Sequence, residues 1–274
     1  MKLIDCFTFY NEVDLLRYRL SILDSCVDYF ILVEATHSHT GIEKSCTYDD
    51  YKELFEEYQD KIIHIIVDDL PFKQPNINIS KKQQWDNEIF QRNCIQRGIK
   101  QVKSRHGITE DDVLLISDID EIPDPETLAL IKTGEISVDI NQLVQDFYYY
   151  NLTSKMAEKW CFAKAVSYKK YLELNIHFHD IRMYNRTNSC EKIEKGGWHL
   201  SYFGDKYFIQ NKIQNFKHQQ FNQEKFTNLD KIEERINGCL DLYERSAVKL
   251  QKIPTCDNKY LPAECLIHLK NYIT

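Results

Sequence analysis

The sequence lacks features that would assign it to several large classes of protein. It has no excess of basic residues, because 35 Lys and Arg stand against 42 Asp and Glu and give a net charge of −7. A protein that binds nucleic acid without sequence specificity needs a basic surface, so no nucleic-acid partner is expected. No Gly-x-x-x-x-Gly-Lys-Ser/Thr segment occurs, which excludes a phosphate-binding loop of that kind.

Long apolar segments are also absent. No stretch approaches the roughly 20 apolar residues that cross a bilayer, and the apolar run at the N-terminus is interrupted at Asp5, too early for a secretory signal. We therefore expect a cytoplasmic protein without a transmembrane segment. The nine Cys residues are odd in number and form no Cys-x-x-Cys pair, which favours buried free thiols over disulfides or a zinc site.

The first half of the chain alternates continuous apolar runs with segments of helical periodicity. The runs predict strands at Leu3–Phe9, Tyr29–Val33, Lys61–Val67 and Val113–Ile116, and the periodic segments predict helices at Glu12–Asp24, Tyr48–Gln59, Lys81–Arg105 and from Pro125 to about Lys132. Such alternation predicts an α/β fold with a mostly parallel sheet and helices on both faces. Ligands of these sheets bind at the carboxyl ends of the strands.

The second half has weaker and more mixed patterns. We predict strands at Gln142–Asn151, Lys159–Tyr168 and Asp180–Arg186, and helices at Phe203–Phe216 and Thr227–Arg245. These elements predict a mixed α+β half that extends the sheet. No internal repeat and no linker interrupts the chain, so we predict a single domain over residues 1–274.

An acidic segment follows the fourth predicted strand. In Ser117–Glu121 the side chains of Asp118 and Asp120 alternate, so they face one side of an extended chain. Three acidic side chains beside a buried strand are unfavourable in free energy unless a cation binds them. Mn²⁺ or Mg²⁺ suits carboxylate oxygens and leaves positions for water and phosphate. The alternative is a solvated turn before a helix that begins at a proline.

Arg92 lies near the middle of the apolar face of the predicted helix Lys81–Arg105. A guanidinium on a buried face needs an anionic partner. Two partners remain open. Glu88 lies one turn earlier, where an i,i+4 ion pair forms, and a diphosphate or the Asp118 cluster is the functional alternative.

Two further segments carry candidate functional residues. Gly196 and Gly197 precede Trp198 and His199, and paired glycines permit a close backbone approach. His199 is either a ligand of a metal or phosphate, in which case its second ring nitrogen should be held by an acceptor, or a satisfied core histidine. Residues 212–222 include His218 and have the composition of an exposed helix end.

The residues singled out above, taken in order, resemble glycosyltransferase family 17. The matching segments are Phe9–Glu12, Asp28–Ala35, His39–Gly41, Glu88 with Gln91–Asn93, Asp118–Pro123, Gly197–His199, and Tyr260–Pro262 before Leu269–Tyr272. The resemblance covers nearly the whole chain. It departs from the family at Gln220, where many relatives have an acidic residue, and the vertebrate enzyme is longer and has a membrane anchor.

The resemblance implies a Rossmann-like fold of the GT-A type and an inverting transfer from a UDP-sugar, UDP-GlcNAc in the known activity, to a glycan acceptor. Residues 1–135 would then bind the nucleotide sugar and residues 136–274 the acceptor. The implied donor-binding residues are Asn11, Glu12, Glu34, Thr40, Arg92 and Asp118. The implied metal ligands for Mn²⁺ or Mg²⁺ are Asp118, Asp120 and His199, and the implied catalytic residues are Glu121, Asp120 and His218.

Inversion in one step requires a base beside the acceptor hydroxyl. The candidates from the sequence are Glu121, Asp146, Asp180 and Glu224. Two other functional classes remain open. One is a sugar- or nucleotide-binding module without turnover, which would not need the acidic triplet, and the other is a metal-dependent nucleotidyltransferase, which would release pyrophosphate instead of UDP.

Overall fold

The computed structural model describes residues 1–273, which form a mixed α/β fold with two sheets and 11 α-helices. The strands are β1 (Leu3–Phe9), β2 (Tyr29–Ala35), β3 (Ile62–Val67), β4 (Val113–Asp118), β5 (Glu121–Ile122), β6 (Ile140–Leu143), β7 (Asp146–Tyr149), β8 (Ser154–Met156), β9 (Lys164–Ser167), β10 (Glu191–Ile193), β11 (Trp198–Ser201) and β12 (Leu250–Lys252).

The helices alternate with these strands in the first half and cluster in the second. They are α1 (Val13–Leu23), α2 (Thr47–Asp50), α3 (Gln83–Asn93), α4 (Ile95–His106), α5 (Pro125–Thr133), α6 (Tyr168–Leu174), α7 (Phe178–Arg182), α8 (Lys206–Asn215), α9 (Glu224–Thr227), α10 (Leu229–Asn237) and α11 (Glu264–His268). In the described part of the chain, residues 1–273, no helix has both the length and the apolar character needed to cross a membrane.

The larger sheet has the strand order β10-β6-β9-β4-β1-β2-β3. The four strands β4, β1, β2 and β3 are parallel, and Thr8 is in register with Asp118 while Phe9 is in register with Glu34. The carboxyl ends of these strands therefore lie at one edge. Strand β9 runs antiparallel to both β4 and β6, so the sheet is mixed, and the other six strands run in one direction.

Side chains of β1 alternate between the two faces of this sheet, as expected for a strand. Leu3, Phe7 and Phe9 pack in the same core as α1, while Ile4 and Cys6 pack in the core that contains the apolar face of α4. All five side chains are at most 2% exposed. Burial of both faces explains why the strands have continuous apolar sequences.

The smaller sheet has the order β12-β8-β7-β11-β5 and connects the second half of the chain to the acidic segment. Strand β11 pairs with β5, placing His199 opposite Glu121. Gly197 enters this pairing with φ +113°, and a Cβ atom there would lie 2.1 Å from the carbonyl oxygen of Ile122. Only glycine fits this approach, which seats β11 beside the acidic segment.

Several predicted elements differ from the structure. The predicted helix Lys81–Arg105 is two helices that meet at Cys94, and the buried face of α3 is polar rather than apolar. The predicted strand Gln142–Asn151 divides into β6 and β7, which belong to different sheets. The prediction of a strand over Asp180–Arg186 is wrong, because that segment contains the end of α7 and a short 3-10 turn.

Candidate functional site

One cavity of about 270 Å³ lies where β1, β2 and β4 end. Both halves of the chain line it. The first half contributes four carboxylates, Glu12, Glu88, Asp118 and Asp120, together with Arg92. The second half contributes the cations Arg182, Lys212, Lys217 and Arg245 and an aromatic wall that includes Phe147, Tyr149, Trp160, Tyr202 and Tyr243. The cavity therefore combines fixed charges of both signs with broad apolar ring surfaces.

Asp118 is held between two guanidinium groups. Its Oδ1 lies 2.8 Å from Arg92 Nη1, its Oδ2 lies 2.8 Å from Arg182 Nη2, and the Thr8 hydroxyl donates to Oδ1 at 3.0 Å. Burial alone would raise the pKa of Asp118, but Arg182 and Arg92 outweigh it and hold that pKa well below its usual range. Asp118 is therefore a permanent anion whose two oxygens are already occupied by cations.

Asp120 faces the second half of the chain. Lys212 donates to its Oδ2 at 3.3 Å, and His199 Nε2 lies 3.6 Å from its Oδ1. Burial acts to raise the pKa of Asp120, and Lys212 and His199 together lower it below the ordinary value. This carboxylate is therefore ionised, and it is held less tightly than Asp118.

Glu121 does not line the cavity, which corrects its prediction as the catalytic base. The chain turns at Ile119 and Asp120, so Glu121 begins β5 and its side chain is fully buried. The carboxylate accepts hydrogen bonds from Arg182, from Trp160 Nε1 and, at 2.9 Å, from the backbone N–H of Asp118. Asp118 and Asp120 both line the cavity, whereas Glu121 does not.

The other three candidate bases do not line the cavity either. Asp146 is buried beneath Lys155, 2.5 Å away, and Lys159. Asp180 is exposed on α7, and Glu224 is exposed at the start of α9. The structure thus narrows the search for a base to the carboxylates of the first half.

Arg92 contacts both of the partners that its sequence position left open. It is 1% exposed, forms an ion pair with Glu88 one turn earlier, and reaches Asp118. Its Nε and Glu88 Oε2 are buried without a hydrogen-bond partner among residues 1–273. A buried donor and a buried acceptor without partners are unfavourable, and they mark this part of the cavity as suited to a polar ligand.

Three basic residues of the site were not identified from the sequence. Arg182 lies in α7, a segment for which a strand was predicted, and it joins Asp118 to Glu121. Lys212 and Lys217 lie in residues 212–222, and the interpretation of that segment as an exposed helix end is wrong. Lys217 reaches Glu88 Oε1 at 3.1 Å and lies 5.2 Å from the Trp85 ring centre.

The residues predicted to bind the donor are dispersed. Glu12 is buried and lines the cavity, but Asn11 lines a separate cavity beside the start of α1. Glu34 accepts from the backbone N–H groups of Thr47 and Tyr48 at 2.6 and 3.1 Å and pairs with Lys44, so it anchors α2 and does not line the cavity.

Thr40 also differs from its predicted role as a donor-binding residue. Its hydroxyl lies 2.9 Å from that of Ser38, and Thr40 itself does not line the cavity, although its neighbours Ser38 and His39 do. The correction has a simple cause. The loop after β2 turns back on itself, with Gly41 at φ +79°, so neighbouring residues point in different directions.

His199 lies between aromatic rings, with its ring centre 4.5 Å from that of Phe147 and 4.2 Å from that of Trp160. Its Nε2 faces Asp120, while its Nδ1 is buried without a hydrogen-bond partner among the described residues. The acceptor expected on the second ring nitrogen is thus not present in residues 1–273.

His218 lines the cavity with its ring edge-on to Trp85, 4.8 Å between centres. Burial, assisted by Lys217, lowers the pKa of His218 to about 4, so the ring is neutral near pH 7. Its Nδ1 lies 3.3 Å from Gln220 Nε2, an amide donor. In this contact Nδ1 accepts from the Gln220 amide, so the neutral ring carries its proton on Nε2, which is then a hydrogen-bond donor.

A metal could be held here only by a small set of protein ligands. Among residues 1–273, no group of three or more His, Cys, Asp or Glu side chains is arranged as a metal site. Asp118, predicted as a metal ligand, has both carboxylate oxygens in ion pairs with Arg92 and Arg182. Asp120 and His199 remain as a carboxylate–imidazole pair, whose chemistry suits Mn²⁺ if oxygen atoms of a ligand complete the shell.

Comparisons with known proteins give one informative match. The family model described as Glycosyltransferase family 17 matches residues 1–247. No curated protein sequence matches the chain. Among solved structures, the crystal structure of 4-diphosphocytidyl-2C-methyl-D-erythritol synthase matches with a TM-score of 0.34. The two sequences are 12% identical, and the match covers 70% of this chain and 88% of that chain. At that TM-score the likeness supports no conclusion about the type of fold or the function.

Proposed function

Since the chain belongs to glycosyltransferase family 17, we propose that it is an inverting, metal-dependent glycosyltransferase of the GT-A type that moves N-acetylglucosamine from UDP-GlcNAc to a hydroxyl of a glycan. The donor would bind in the cavity at the carboxyl ends of β1, β2 and β4. Residues 1–135 would hold the nucleotide, and residues 136–274 would hold the acceptor.

The observation that carries this proposal is the composition of the cavity lining. Arg92, Lys212 and Lys217 meet four carboxylates at one end, where a diphosphate and its counter-ions could replace existing ion pairs. Aromatic rings line the rest, including Phe147 and Trp160. Ring faces suit the apolar faces of a pyranose, and such a combination of apolar wall and few polar groups is typical of small-molecule sites.

Asp120 and His199 are the residues that would hold Mn²⁺ or Mg²⁺. When bound, the ion would supply positive charge to the leaving diphosphate. Asp120 also accepts from Lys212, so its carboxylate is oriented from the opposite side. His199 is fixed by the flanking rings of Phe147 and Trp160, which limits rotation of the imidazole.

The reaction breaks the bond between the anomeric carbon and a diphosphate oxygen, and a hydroxyl oxygen of the acceptor attacks from the opposite face. The hydroxyl proton passes to a carboxylate. Glu12 and Glu88 line the cavity, are not held between two guanidinium groups and have no part in holding the metal, so they are the candidates. His218 would donate its Nε2 proton in a hydrogen bond to the substrate without giving it up.

A panel of nucleotide sugars tests the proposal. We expect UDP-GlcNAc to raise the melting temperature in the presence of Mn²⁺, because a ligand at about 100 times its Kd adds roughly 2.7 kcal/mol to the free energy of unfolding. Incubation with a glycan acceptor should release UDP. Release of pyrophosphate from UTP in the presence of a sugar 1-phosphate would instead identify a nucleotidyltransferase, and binding of UDP-GlcNAc without release of either product would identify a non-catalytic module.

The variants Glu12→Gln and Glu88→Gln test the two candidate bases, and Asp120→Asn is the comparison for loss of a metal ligand. Each replaces a carboxylate by an amide of nearly the same shape. The base variant should bind UDP-GlcNAc normally and lose turnover, whereas a variant that loses donor binding identifies a residue of the donor site.

A further inference from the structure

Lys212 is a buried cation of the cavity to which no step of the proposed reaction has been assigned. It lies in α8 on the same face as Ile209 and Ile213, which are at most 2% exposed, and this i, i+3, i+4 pattern turns its side chain inward. The carboxylate of Asp205 caps the helix by accepting from the Phe208 backbone N–H at 2.8 Å. The position of Lys212 is thus fixed by the helix and does not depend on a flexible loop.

The ammonium group of Lys212 sits between the two halves of the chain. Its Nζ lies 3.1 Å from Glu12 Oε1 and 3.3 Å from Asp120 Oδ2. The same nitrogen is 5.5 Å from the centre of the Tyr202 ring. Burial alone would lower the pKa of Lys212, but Asp120 and Glu12 raise it above the ordinary value, so the group stays charged.

An ammonium group has three N–H donors. Glu12 and Asp120 take two of them, and the third has no acceptor among the contacts of residues 1–273. Lys212 lines the same cavity as Asp120 and Arg92. A charged donor with one unused N–H in a partly enclosed cavity is suited to an anionic oxygen, since charge-assisted hydrogen bonds are the strongest of their kind.

We propose that Lys212 donates this hydrogen bond to the leaving diphosphate of the donor and offsets the negative charge that develops there. The inference rests on the proposed glycosyltransferase function. As the bond from the anomeric carbon to the diphosphate breaks, the electron pair moves onto the diphosphate oxygen. Lys212 keeps all its protons throughout, and Glu12 and Asp120 hold its ammonium group in place.

The alternative is that Lys212 only ties α8 to the loop after β1. The two roles differ in one measurable property. A structural tie affects the binding of every nucleoside ligand alike, whereas a diphosphate contact affects UDP and leaves uridine unchanged. Calorimetric titration of the full chain with UDP and with uridine therefore separates them.

The test uses Lys212→Met, which retains the apolar stem, and Lys212→Arg, which retains the charge. We expect Lys212→Met to weaken UDP binding about 10- to 100-fold, as for loss of a hydrogen bond to a charged group, with uridine affinity unchanged. Lys212→Arg should recover part of the loss. The control is Lys206→Met on the same helix, because Lys206 is partly exposed and, among residues 1–273, its one ion pair is with Glu233.

The outcomes separate this inference from the function on which it rests. If the wild-type protein binds no UDP, the proposed function is wrong. If the wild-type protein binds UDP and Lys212→Met binds it equally well, or loses UDP and uridine affinity alike, Lys212 does not contact the diphosphate. If Lys212→Met does not fold, the same comparison of UDP with uridine is made on Lys212→Gln, which removes the charge but keeps a polar side chain, and an unchanged ratio of the two affinities overturns the proposal.

Discussion

Replacement of Arg19 by Met should destabilise the acidic segment Ser117–Glu121 without changing any residue of that segment. Arg19 is fully buried on α1 and binds the Asp5 carboxylate with two hydrogen bonds of 2.8 and 2.7 Å. It also donates to the Ser117 hydroxyl and to the carbonyl oxygens of Asp118, Ile119 and Glu121. The substitution removes six hydrogen bonds and leaves Asp5 buried without its partner.

The expected cost is about 3–5 kcal/mol, the range for breaking a buried ion pair by removing one partner. Native domains have free energies of unfolding of roughly 5–15 kcal/mol, so the variant should still fold at low temperature. The double variant Asp5→Leu with Arg19→Met should recover part of the loss, because no isolated charge then remains in the core.

Urea denaturation monitored by tryptophan fluorescence measures these free energies. Arg17→Met is the matched control, because Arg17 is exposed on the same helix and should change stability by less than about 0.5 kcal/mol. The reasoning is refuted if Arg19→Met lowers the free energy of unfolding no more than this control does. It is also refuted if the double variant loses more free energy of unfolding than the two single variants lose together.

Further predictions concern ligands and pH. Asp120→Asn should abolish turnover and Mn²⁺-dependent UDP binding with circular dichroism unchanged; full activity in excess EDTA would contradict this. Arg92→Ala should weaken UDP binding far more than uridine binding in calorimetry, and equal losses would leave only its Glu88 pair as the explanation. His199→Ala should raise the Mn²⁺ concentration needed for half-maximal activity with little change in melting temperature; an unaltered Mn²⁺ profile would count against it. Burial lowers the pKa of both His39 and His218 to about 4, below about 6.5 in the unfolded chain, so the unfolded state binds more protons between these values. Stability should therefore fall as the pH drops from about 6.5 to about 4, and replacing both rings by Gln should flatten that slope in urea titrations.

The sequence predicted the first half well because its signals are local. Strand β1 spans the predicted residues Leu3–Phe9, and β2, β3 and β4 lie within two residues of their predicted ends. Buried parallel strands have continuous apolar sequences, and such runs stand out from their surroundings. The acidic segment was found for the same reason, since it follows directly after an apolar run.

The second half was predicted less well because its structure depends on distant contacts. The aromatic segment around Val144 alternates like one strand, and nothing in it records that the chain leaves one sheet for another at that point. Arg182 belongs to the site because it contacts Asp118, which lies 64 positions earlier in the sequence. Glu34 was placed correctly at the end of a strand, but the direction of its carboxylate is set by backbone N–H groups of α2.

The pairing of Glu12 with Lys212 also has a consequence for how the protein is made. These residues are 200 positions apart, and the N-terminal part of a chain leaves the ribosome first. The carboxylates of Glu12, Glu88 and Asp120 can therefore gather at the sheet edge before Lys212 and Lys217 have been synthesised. Mutual repulsion should keep that edge open in the nascent protein, and the arrival of α8 should close it. A chain released just before residue 206 would leave these acids without two of their cations.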